Sequence, residues 1–412
     1  MDVVHSRCAG IDISKKDAKV CVRTQLPTRA RASSTVTTWG SVTNQILALR
    51  AHLVAEGVTL VVMEATSDYW KPFYYVLDGG PFEVLLLNAA HVRNLPGRKT
   101  DVSDAAWLAQ LAAHGLVRGS FVPPQPIRRL RDLTRTRTAV VRERSREIQR
   151  LEKLLEDSGI KLSSVASDLT GVSGRAMLES LVAGERDPQV LAQLARKRMR
   201  VMIPELTEAL TGRFDDHHAF LVSLHLNLMD QHTRAIEELT ARIEVLIEPY
   251  RAARDLLTTI PGISIKVADV IVAETGADMS RFPTAAHLAS WTGVCPGSNE
   301  SAGRTKSTHT RPGNPYLKSA LGVSAMVASR LNGTFYSARY RRLASRRGPM
   351  KALVAVEHSM VTAIWTMFQT GVVYTDPGSD YYVRRRPDRA KDRAIQQLRS
   401  LGYSVTLAPT AV

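Results

Sequence analysis

The order of strand-like and helix-like segments near the start of the chain is the feature that most limits how it can fold. Apolar residues form short runs with the length and composition of β-strands, at residues 8–13, 18–24, 32–37, 58–64 and 83–88. Helical spacing of apolar residues occupies residues 41–56, 69–78 and 102–115. Three strands, then helix, strand, helix, strand and helix, predict a hairpin meander that feeds βα units. The sequence therefore predicts an α/β layer built on a mixed sheet.

Carboxylates end two of the predicted strands. Asp12 follows the apolar run of the first strand, and Glu64 ends that of the fourth. The order of elements is also that of a ribonuclease-H-like fold, in which the first and fourth strands lie side by side. We therefore expect Asp12 and Glu64 to be neighbours at one edge of the sheet.

An acidic pair with helical spacing completes this set. Asp101 and Asp104 form a D-V-S-D step that opens the third predicted helix. Strand-end carboxylates and an i, i+3 acidic pair can hold two divalent cations about 4 Å apart, an arrangement that cuts phosphodiester bonds by in-line displacement. A lone strand-end aspartate is usually a cap or a turn former, but four acids in this order predict a metal-dependent nuclease or strand-transfer site. Sugar-kinase and actin-like ATPases begin with a similar strand, but this sequence lacks the Gly-rich phosphate loops that they need.

The balance of charge favours a polyanionic partner. Lys and Arg outnumber Asp and Glu by 55 to 39, which gives a formal net charge of +16 and a pI near 10.0. Such an excess favours DNA, RNA or an anionic membrane surface. No run reaches the roughly 18 apolar residues of a membrane span, and the N-terminus shows no signal-peptide architecture. We therefore expect a cytoplasmic protein that binds nucleic acid and no membrane, with Cys8 and Cys21 as buried thiols.

A long helical region follows the Pro-Pro-Gln-Pro break at 123–126. Apolar residues recur mostly every third or fourth position over residues 127–155, which predicts a long amphipathic or coiled-coil helix. A second long helix is predicted at about 215–250. The simplest interpretation is an antiparallel helical hairpin. The same hairpin would suit a dimerisation arm or a strut that bridges nucleic acid, and the sequence leaves these alternatives open.

Three basic or turn-forming features indicate contact with phosphates. Residues 256–275 place two apolar helices around a Pro-Gly-Ile turn, the helix–hairpin–helix pattern, whose turn presents backbone N–H groups to a phosphate. An ordinary corner between two helices is the alternative. Residues 301–356 contain eleven Lys or Arg and no Asp or Glu, and a one-sign block of this length predicts a phosphate-facing surface. The Arg-rich helix at 128–150 suits the same role, and the basic tail is expected to be partly disordered.

Ser301 is a candidate nucleophile in a Gly- and Ser-rich loop between two helical stretches. A serine attacks phosphorus when nearby cations stabilise the transition state and a neighbour accepts its proton. Glu300 or His309 could be that acceptor. On the residues alone, Ser298 and Ser307 are equally eligible, and most serines in such loops only form turns.

Several longer motifs resemble one known family. In the N-terminal part they are GIDISKKDAKVCV, VVMEATSDYW and NAAHVRNLPGRKTDVSDAAWLAQL. In the C-terminal part they are LLTTIPGISIKVADVIVAETG and FPTAAHLASWTGVCPGSNESAGRTKSTHTRPGNPYLKSAL. With these motifs the chain resembles the DEDD-type insertion-sequence transposases, the bridge-RNA-guided serine recombinases of bacterial mobile elements. The resemblance covers most of residues 6–120 and 255–370.

The resemblance implies a division of the chain into four parts. These are a RuvC-like nuclease domain at 1–122, a helical or coiled-coil region at 123–252, a transposase domain with the helix–hairpin–helix and the catalytic serine at 253–375, and a basic tail at 376–412. The resemblance also implies that the four carboxylates, Asp12, Glu64, Asp101 and Asp104, bind Mg²⁺.

Ser301 would be the nucleophile that joins covalently to cleaved DNA as a phosphoserine. There is one departure from the family. Relatives have Glu-Ser-Gly, where this chain has Glu300-Ser301-Ala302-Gly303. The register of the serine is therefore open.

The implied partners are double-stranded donor and target DNA, a guide or bridge RNA, and further copies of the chain in a dimer or tetramer. The residues that we expect to bind nucleic acid are Arg98, Lys99, Arg304, Lys306, Arg311, Lys318, Arg341, Arg342, Arg346 and Arg347. Two other functions stay open. One is a RuvC-like junction-resolving nuclease that makes hydrolytic nicks without a covalent intermediate. The other is a non-enzymatic nucleic-acid-binding scaffold whose carboxylates only cap helices.

Overall fold

The computed structural model of the protein describes residues 3–25, 32–65, 67–88, 104–297 and 299–408. The chain forms two compact units, Met1–Val122 and Pro123–Val412. In these ranges the first unit carries a mixed sheet covered by helices, and the second is helical apart from a two-stranded hairpin. The predicted class, an α/β N-terminal region followed by a mainly helical remainder, is therefore confirmed. The finer division into four parts stays a prediction.

The N-terminal unit contains the strands and helices that the sequence predicts, with ends that agree within a few residues. Its strands are β1 (Arg7–Ile13), β2 (Asp17–Thr24), β3 (Ser33–Gly40), β4 (Leu60–Glu64) and β5 (Glu83–Leu87). Its helices, within the described residues, are α1 (Thr43–Ala55), α2 (Trp70–Leu77) and α3 (Asp104–Ala113). The agreement is close because period-two and helical patterns are strong in this region.

The sheet has the strand order β3-β2-β1-β4-β5. β1 pairs antiparallel with β2 and parallel with β4, so the prediction that the first and fourth strands lie side by side is confirmed. The register pairs Ile11 with Met63. The next residues along these parallel strands are Asp12 and Glu64, which therefore lie side by side on one face of the sheet.

Each face of the sheet is covered by different helices. Residues of odd number in β1, such as Ile11, pack with Leu49 of α1 and Phe73 of α2. Residues of even number face α3, where Cys8 packs with Leu108. Cys21 of β2 packs on the same helix, and both thiols are fully buried, as the sequence predicts. The unit is therefore a three-layer sandwich.

Gly10 allows α3 to lie unusually close to β1. A Cβ atom at this position would lie 2.2 Å from the carbonyl oxygen of Ala105 and 2.4 Å from the amide nitrogen of Ala109. The Cys8 thiol donates a hydrogen bond to the Ala109 carbonyl at 3.2 Å. Because the obstructing atoms belong to the backbone, no rotamer change could make room for a side chain here.

The C-terminal unit is built from helices of very different length. In order they are α4 (Gln125–Asp157), α5 (Leu162–Val165), α6 (Val172–Val182), α7 (Pro188–Ala192), α8 (Ile203–Ala209), α9 (Asp216–Ile247), α10 (Arg251–Thr258), α11 (Ile265–Thr275), α12 (Ala285–Thr292), α13 (Pro315–Arg330), α14 (Phe335–Arg347), α15 (Pro349–Thr370), α16 (Tyr381–Arg385) and α17 (Pro387–Ser400). A hairpin of β6 (Asn299–Ser301) and β7 (Arg304–Ser307) lies between α12 and α13. Within the tail, α16 and α17 are helical, and the prediction that the tail is partly disordered stays a prediction. No helix in the described ranges is long and apolar enough to cross a membrane.

The two longest helices, α4 and α9, form the predicted antiparallel hairpin. Arg144 Nε donates to Thr233 Oγ1 at 2.9 Å, and the Asp157 carboxylate lies 3.4 Å from His218 Nε2. Positions rise along α4 as they fall along α9, which shows that the helices run in opposite directions. Leucines near the end of α4, including Leu151, pack with the first half of α9 in one apolar cluster. A role for this hairpin as a dimerisation arm or strut stays a prediction.

We predict that Gly10→Ala selectively destabilises the packing of α3 on the sheet. The methyl group would overlap backbone atoms, and overpacking of this kind costs about 1–3 kcal/mol. Hydrogen–deuterium exchange, measured by mass spectrometry, should be faster in peptides of β1 and α3. Gly40→Ala is the matched control, because its new methyl group would meet only the flexible Gln45 side chain. Equal exchange in the two variants would contradict this account of Gly10.

Candidate active site

The direction of α3 determines where its first residue lies. Val4 N–H donates to the Ala113 carbonyl at 2.8 Å, and Gly10 lies against Ala105. The helix therefore runs antiparallel to β1. Asp104, in the first turn of α3, consequently lies beside the end of β1.

Three of the four predicted carboxylates thus share one edge of the sheet, which we call the acidic edge and define as Asp12, Glu64 and Asp104. Asp12 lies two residues after Gly10 and so faces α3. All three side chains are half-buried. Asp101 lies outside the described residues, and no group of three His, Cys, Asp or Glu that could hold a metal ion occurs among those described. The acidic edge is therefore not, by its described members alone, a closed metal site.

Lys19 is a residue at this edge that the sequence reasoning missed. It pairs with Asp12 in the β1–β2 register, and cross-strand partners share a face. Its side chain is exposed. This register follows from the tight turn before β2, where Ser14 Oγ donates to Asp17 Oδ1 at 2.6 Å. A cation beside the carboxylates can contact a phosphate that lies between them.

Ser301 is the last residue before the tip of the β6–β7 hairpin. It pairs with Arg304, and the two residues between them, Ala302 and Gly303, have φ values of 50° and 72°. Two consecutive positive φ values are the signature of the tight hairpin turn that matches strand twist. Ala302 holds this conformation at a cost of about 1–2 kcal/mol, since a Cβ disfavours it. The extra alanine of the Glu-Ser-Ala-Gly sequence therefore belongs to the turn, and Ser301 is exposed next to it.

Neither predicted proton acceptor faces the Ser301 hydroxyl. His309 lies at the base of the hairpin, where its carbonyl accepts from Gly297 N–H at 3.0 Å and its Nδ1 donates to the Thr310 carbonyl at 2.8 Å. The strand from Arg304 to Ser307 alone spans about 10 Å, which separates the tip from the base. Glu300 adjoins Ser301 in β6, and successive strand residues point to opposite faces.

Three arginines of α4 are used inside the protein. Arg135 forms two hydrogen bonds to the Glu274 carboxylate, at 2.7 and 2.8 Å, and Arg131 donates to the Glu274 carbonyl at 2.6 Å. Arg137 donates to Asp269 at 3.1 Å. Both acids lie on α11 and are almost fully buried. The interpretation of the Arg-rich helix as a phosphate-facing surface is therefore wrong for these three residues, because each donates hydrogen bonds to Glu274 or Asp269, which are distant in sequence.

The basic residues of the acid-free segment behave differently. The exposed ones among the predicted nucleic-acid contacts are Arg304, Lys306, Arg311, Arg341, Arg342, Arg346 and Arg347. Among the ion pairs of the described chain, none involves any of these seven. Arg342 stacks on the Tyr382 ring, 4.3 Å from its centroid. Lys318 is half-buried and donates to Thr310 Oγ1 at 3.0 Å. Arg98 and Lys99 lie outside the described residues.

The Pro-Gly-Ile turn joins α10 to α11, as predicted, and packs inward. Gly262 has a φ of 91°, and a Cβ on it would lie 2.5 Å from the Ser324 carbonyl oxygen of α13. Ser264 caps α11 by accepting from Val267 N–H at 3.4 Å. The pair of helices is present, while its assignment as a phosphate-binding helix–hairpin–helix stays a prediction.

Glu357 of α15 is a buried acid in this unit. Its side chain is 7% exposed, and its Oε2 has no hydrogen-bond partner among the described residues. Burial raises the pKa of Glu357 above its ordinary value, and the positive charge of Lys318 opposes this shift only in part.

We predict that Glu357→Gln increases thermal stability more at about pH 8 than at about pH 5. Since the pKa is higher in the folded state, that state binds the proton more tightly. Wild-type stability is therefore lost as the pH rises from the ordinary pKa of 4.5 through the raised value. Glutamine has no proton to lose, so this loss should disappear. Thermal unfolding midpoints of the wild type and Glu357→Gln, measured at both pH values, test this prediction, with the exposed Glu205→Gln as control. A difference between the two midpoints that does not change with pH would contradict the raised pKa of Glu357.

Comparison with known proteins relates two parts of the chain to transposases. Residues 9–159 match the family model of DEDD transposases of the IS110 type, and residues 254–341 match the model described as transposase IS116/IS110/IS902 family. Together the matched segments cover more than half of the 412 residues. The first contains the acidic edge, and the second contains Ser301.

Individual relatives are similar over different lengths. The uncharacterized 43.6 kDa protein of insertion element IS110 from Streptomyces coelicolor is 28% identical over 192 residues, which are 46% of this chain and 42% of that protein. The uncharacterized 42 kDa protein of insertion element IS900 from Mycobacterium paratuberculosis is 26% identical over 305 residues, which are 67% of this chain and 73% of that protein. The similarity therefore spans less than half the length of the first relative.

Proposed function

Because this chain belongs to the DEDD-type insertion-sequence transposases, we propose that it cleaves and exchanges DNA strands during transposition of a mobile element. The reaction would depend on Mg²⁺, pass through a phosphoserine at Ser301 and be guided by a bridge RNA. The observation that carries the proposal is that Asp12 and Glu64 end neighbouring parallel strands of a mixed sheet and that Asp104 lies in the first turn of the helix packed on β1. This arrangement suits phosphodiester chemistry and is hard to explain as three separate helix caps.

The side chains of the acidic edge have the chemistry of ligands for a hard divalent cation, and the described residues by themselves form no group that could hold one. Its described members offer only carboxylate oxygens, the ligands that Mg²⁺ prefers. We propose that the Asp101 carboxylate is a further ligand. When bound, the metal would supply positive charge that stabilises the transition state at phosphorus. The carboxylates hold that charge at the strand ends. Lys19, in register with Asp12, is placed to contact a non-bridging phosphate oxygen.

Ser301 would attack phosphorus through its hydroxyl oxygen. The new Oγ–P bond forms as the bond from phosphorus to the leaving sugar oxygen breaks, and that oxygen takes up a proton. The serine proton passes to an acceptor other than Glu300 and His309, since neither of these faces the hydroxyl. A second DNA end would then displace the serine and complete strand exchange. The exposure of Ser301 at a hairpin tip supports this role.

The acidic edge and Ser301 belong to different compact units. We propose that the protein acts as a dimer or tetramer. The exposed arginines, Arg341, Arg342, Arg346 and Arg347 above all, would contact the backbone of DNA or RNA, while base pairing with the bridge RNA supplies sequence choice.

We predict that Ser301→Ala abolishes covalent attachment of the protein to DNA. The probe is a labelled duplex that spans the joined ends of the element, incubated with Mg²⁺ and RNA transcribed from the element's flank. A denaturing gel should show a protein–DNA adduct in the wild type and a loss of about 10³-fold or more in Ser301→Ala and in Asp12→Asn. Ser307→Ala is the matched control and should keep the adduct.

Other outcomes of this experiment identify the alternatives. Free nicks without an adduct, unchanged in Ser301→Ala, would show a RuvC-like nuclease that works by hydrolysis. A wild-type protein that binds DNA but does not cleave it would favour the non-enzymatic nucleic-acid-binding scaffold. An adduct that persists in Ser301→Ala and disappears in Ser307→Ala would identify Ser307 as the nucleophile.

We predict that Arg346→Ala/Arg347→Ala weakens binding to a labelled non-specific duplex and flattens its dependence on salt. Each lost phosphate contact should reduce the slope of log affinity against log salt by about 0.9. Binding titrations at several salt concentrations measure the slope. Arg146→Ala/Arg251→Ala is the control with the same change in charge, because those side chains pair with Glu143 and Glu248. Equal slopes in both double variants would argue against a specific arginine surface on α14.

A further inference from the structure

Glu274 is a fully buried carboxylate that joins three segments of the C-terminal unit. Its oxygens accept two hydrogen bonds from Arg135 of α4 and one from Asn314 Nδ2, at 2.6 Å, just before α13. The Arg135 guanidinium also lies over the ring of Tyr316, 4.7 Å from its centroid. The arginine therefore contacts both the carboxylate and the first turn of α13.

Asn314 transmits this contact to the backbone. While its Nδ2 donates to Glu274, its Oδ1 accepts from the N–H groups of Tyr316 and Leu317 at 3.1 and 3.0 Å, which caps α13. Its own N–H donates to the Trp291 carbonyl at 3.1 Å. Hydrogen bonds require a defined direction, so rotation of the Asn314 amide would break three of them at once.

Asn314 also ends the segment that carries the Ser301 hairpin. The start and the end of this segment touch, since a Cβ on Gly313 would lie 2.4 Å from the amide nitrogen of Gly293. One step further out, Gly297 N–H donates to the His309 carbonyl. The base of the hairpin is thus held by backbone contacts, and Asn314 is the side chain that ties the base to Glu274.

We propose that Glu274 is a positioning residue for the Ser301 hairpin: it orients Asn314 and so sets the direction in which the hairpin presents the serine. This inference rests on the proposed function, in which Ser301 is the nucleophile. A buried ion pair gives little stability beyond that of well-packed apolar groups, because desolvation offsets the attraction. Unlike an apolar side chain, the Glu274 carboxylate accepts hydrogen bonds from Arg135 and Asn314. These hydrogen bonds fix the orientation of the Asn314 side chain.

The first test is Asn314→Asp. Aspartate is as good an N-cap as asparagine, so α13 keeps its cap, but two carboxylates would now face each other where the hydrogen bond was. We expect the adduct to form more slowly by about 10²-fold at saturating DNA, the effect of a small misplacement of a reacting group, with unchanged affinity for DNA. Hydrogen exchange should rise in peptides covering 294–310. Asn332→Asp, at an exposed position, is the matched control.

The second test exchanges the two groups. Glu274→Gln/Asn314→Asp keeps one negative charge and one amide at the junction with the direction of the hydrogen bond reversed. We expect this double variant to recover most of the adduct rate that each single variant loses. Losses that simply add, or an unaltered rate in Asn314→Asp, would overturn the proposal. If Asn314→Asp does not fold, Asn314→Ser is used in its place, because it removes the amide donor without adding charge.

The exchange measurement separates this inference from the function on which it rests. If the wild type forms no adduct, the proposed function fails, and exchange still tests the anchoring. Faster exchange confined to 294–310 supports positioning by Glu274. Faster exchange throughout the C-terminal unit would show that Glu274 only stabilises the fold, and would overturn the proposal.

Discussion

The burial of two acidic side chains, Asp269 and Glu274, is the constraint on which the C-terminal unit depends. An ionised carboxylate is strongly destabilising in a protein interior unless it is paired and hydrogen-bonded. Helix α4 supplies the hydrogen-bond donors: Arg137 donates to Asp269, and Arg135 donates to both carboxylate oxygens of Glu274. Arg254 of α10 forms a further ion pair with Asp269 at 3.7 Å. The spacing of arginines along α4 therefore sets how α11 docks on it. Through Asn314 the same contact reaches the start of α13.

Most of the N-terminal fold could be predicted, because its strands and helices differ clearly in apolar periodicity. The neighbourhood of Asp12 and Glu64 followed from strand order alone. The depth at which α3 packs could not be predicted, since it depends on backbone atoms that only Gly10 can admit. The position of Lys19 was missed for a related reason, since it follows from the register of a hairpin rather than from any motif.

The arginines of α4 show a limit of prediction from charge patterns. A run of basic residues on a helix identifies the cationic side chains, but it does not identify the acids that pair with them. Arg135 and Glu274 are 139 positions apart, so no local pattern connects them, and the Arg-rich helix was wrongly predicted to face phosphates at these positions. The acid-free segment was more informative, because a region without acids leaves its own arginines unpaired unless a distant acid reaches them. Four arginines of α14 are exposed, in agreement with that argument: Arg341, Arg342, Arg346 and Arg347.

The hairpin that carries Ser301 meets two requirements of a nucleophile that attacks DNA, which are exposure of the hydroxyl and a fixed direction. The serine has to be exposed, and the turn at Ala302 and Gly303 puts it as far from the base as this hairpin allows. It also has to point in one direction, which requires a base held by directed contacts. Neither Glu300 nor His309 of the hairpin faces the hydroxyl. On the proposed function, the serine would therefore stay unreactive until assembly with DNA supplied an acceptor, so that strand cleavage would occur only within a complete complex.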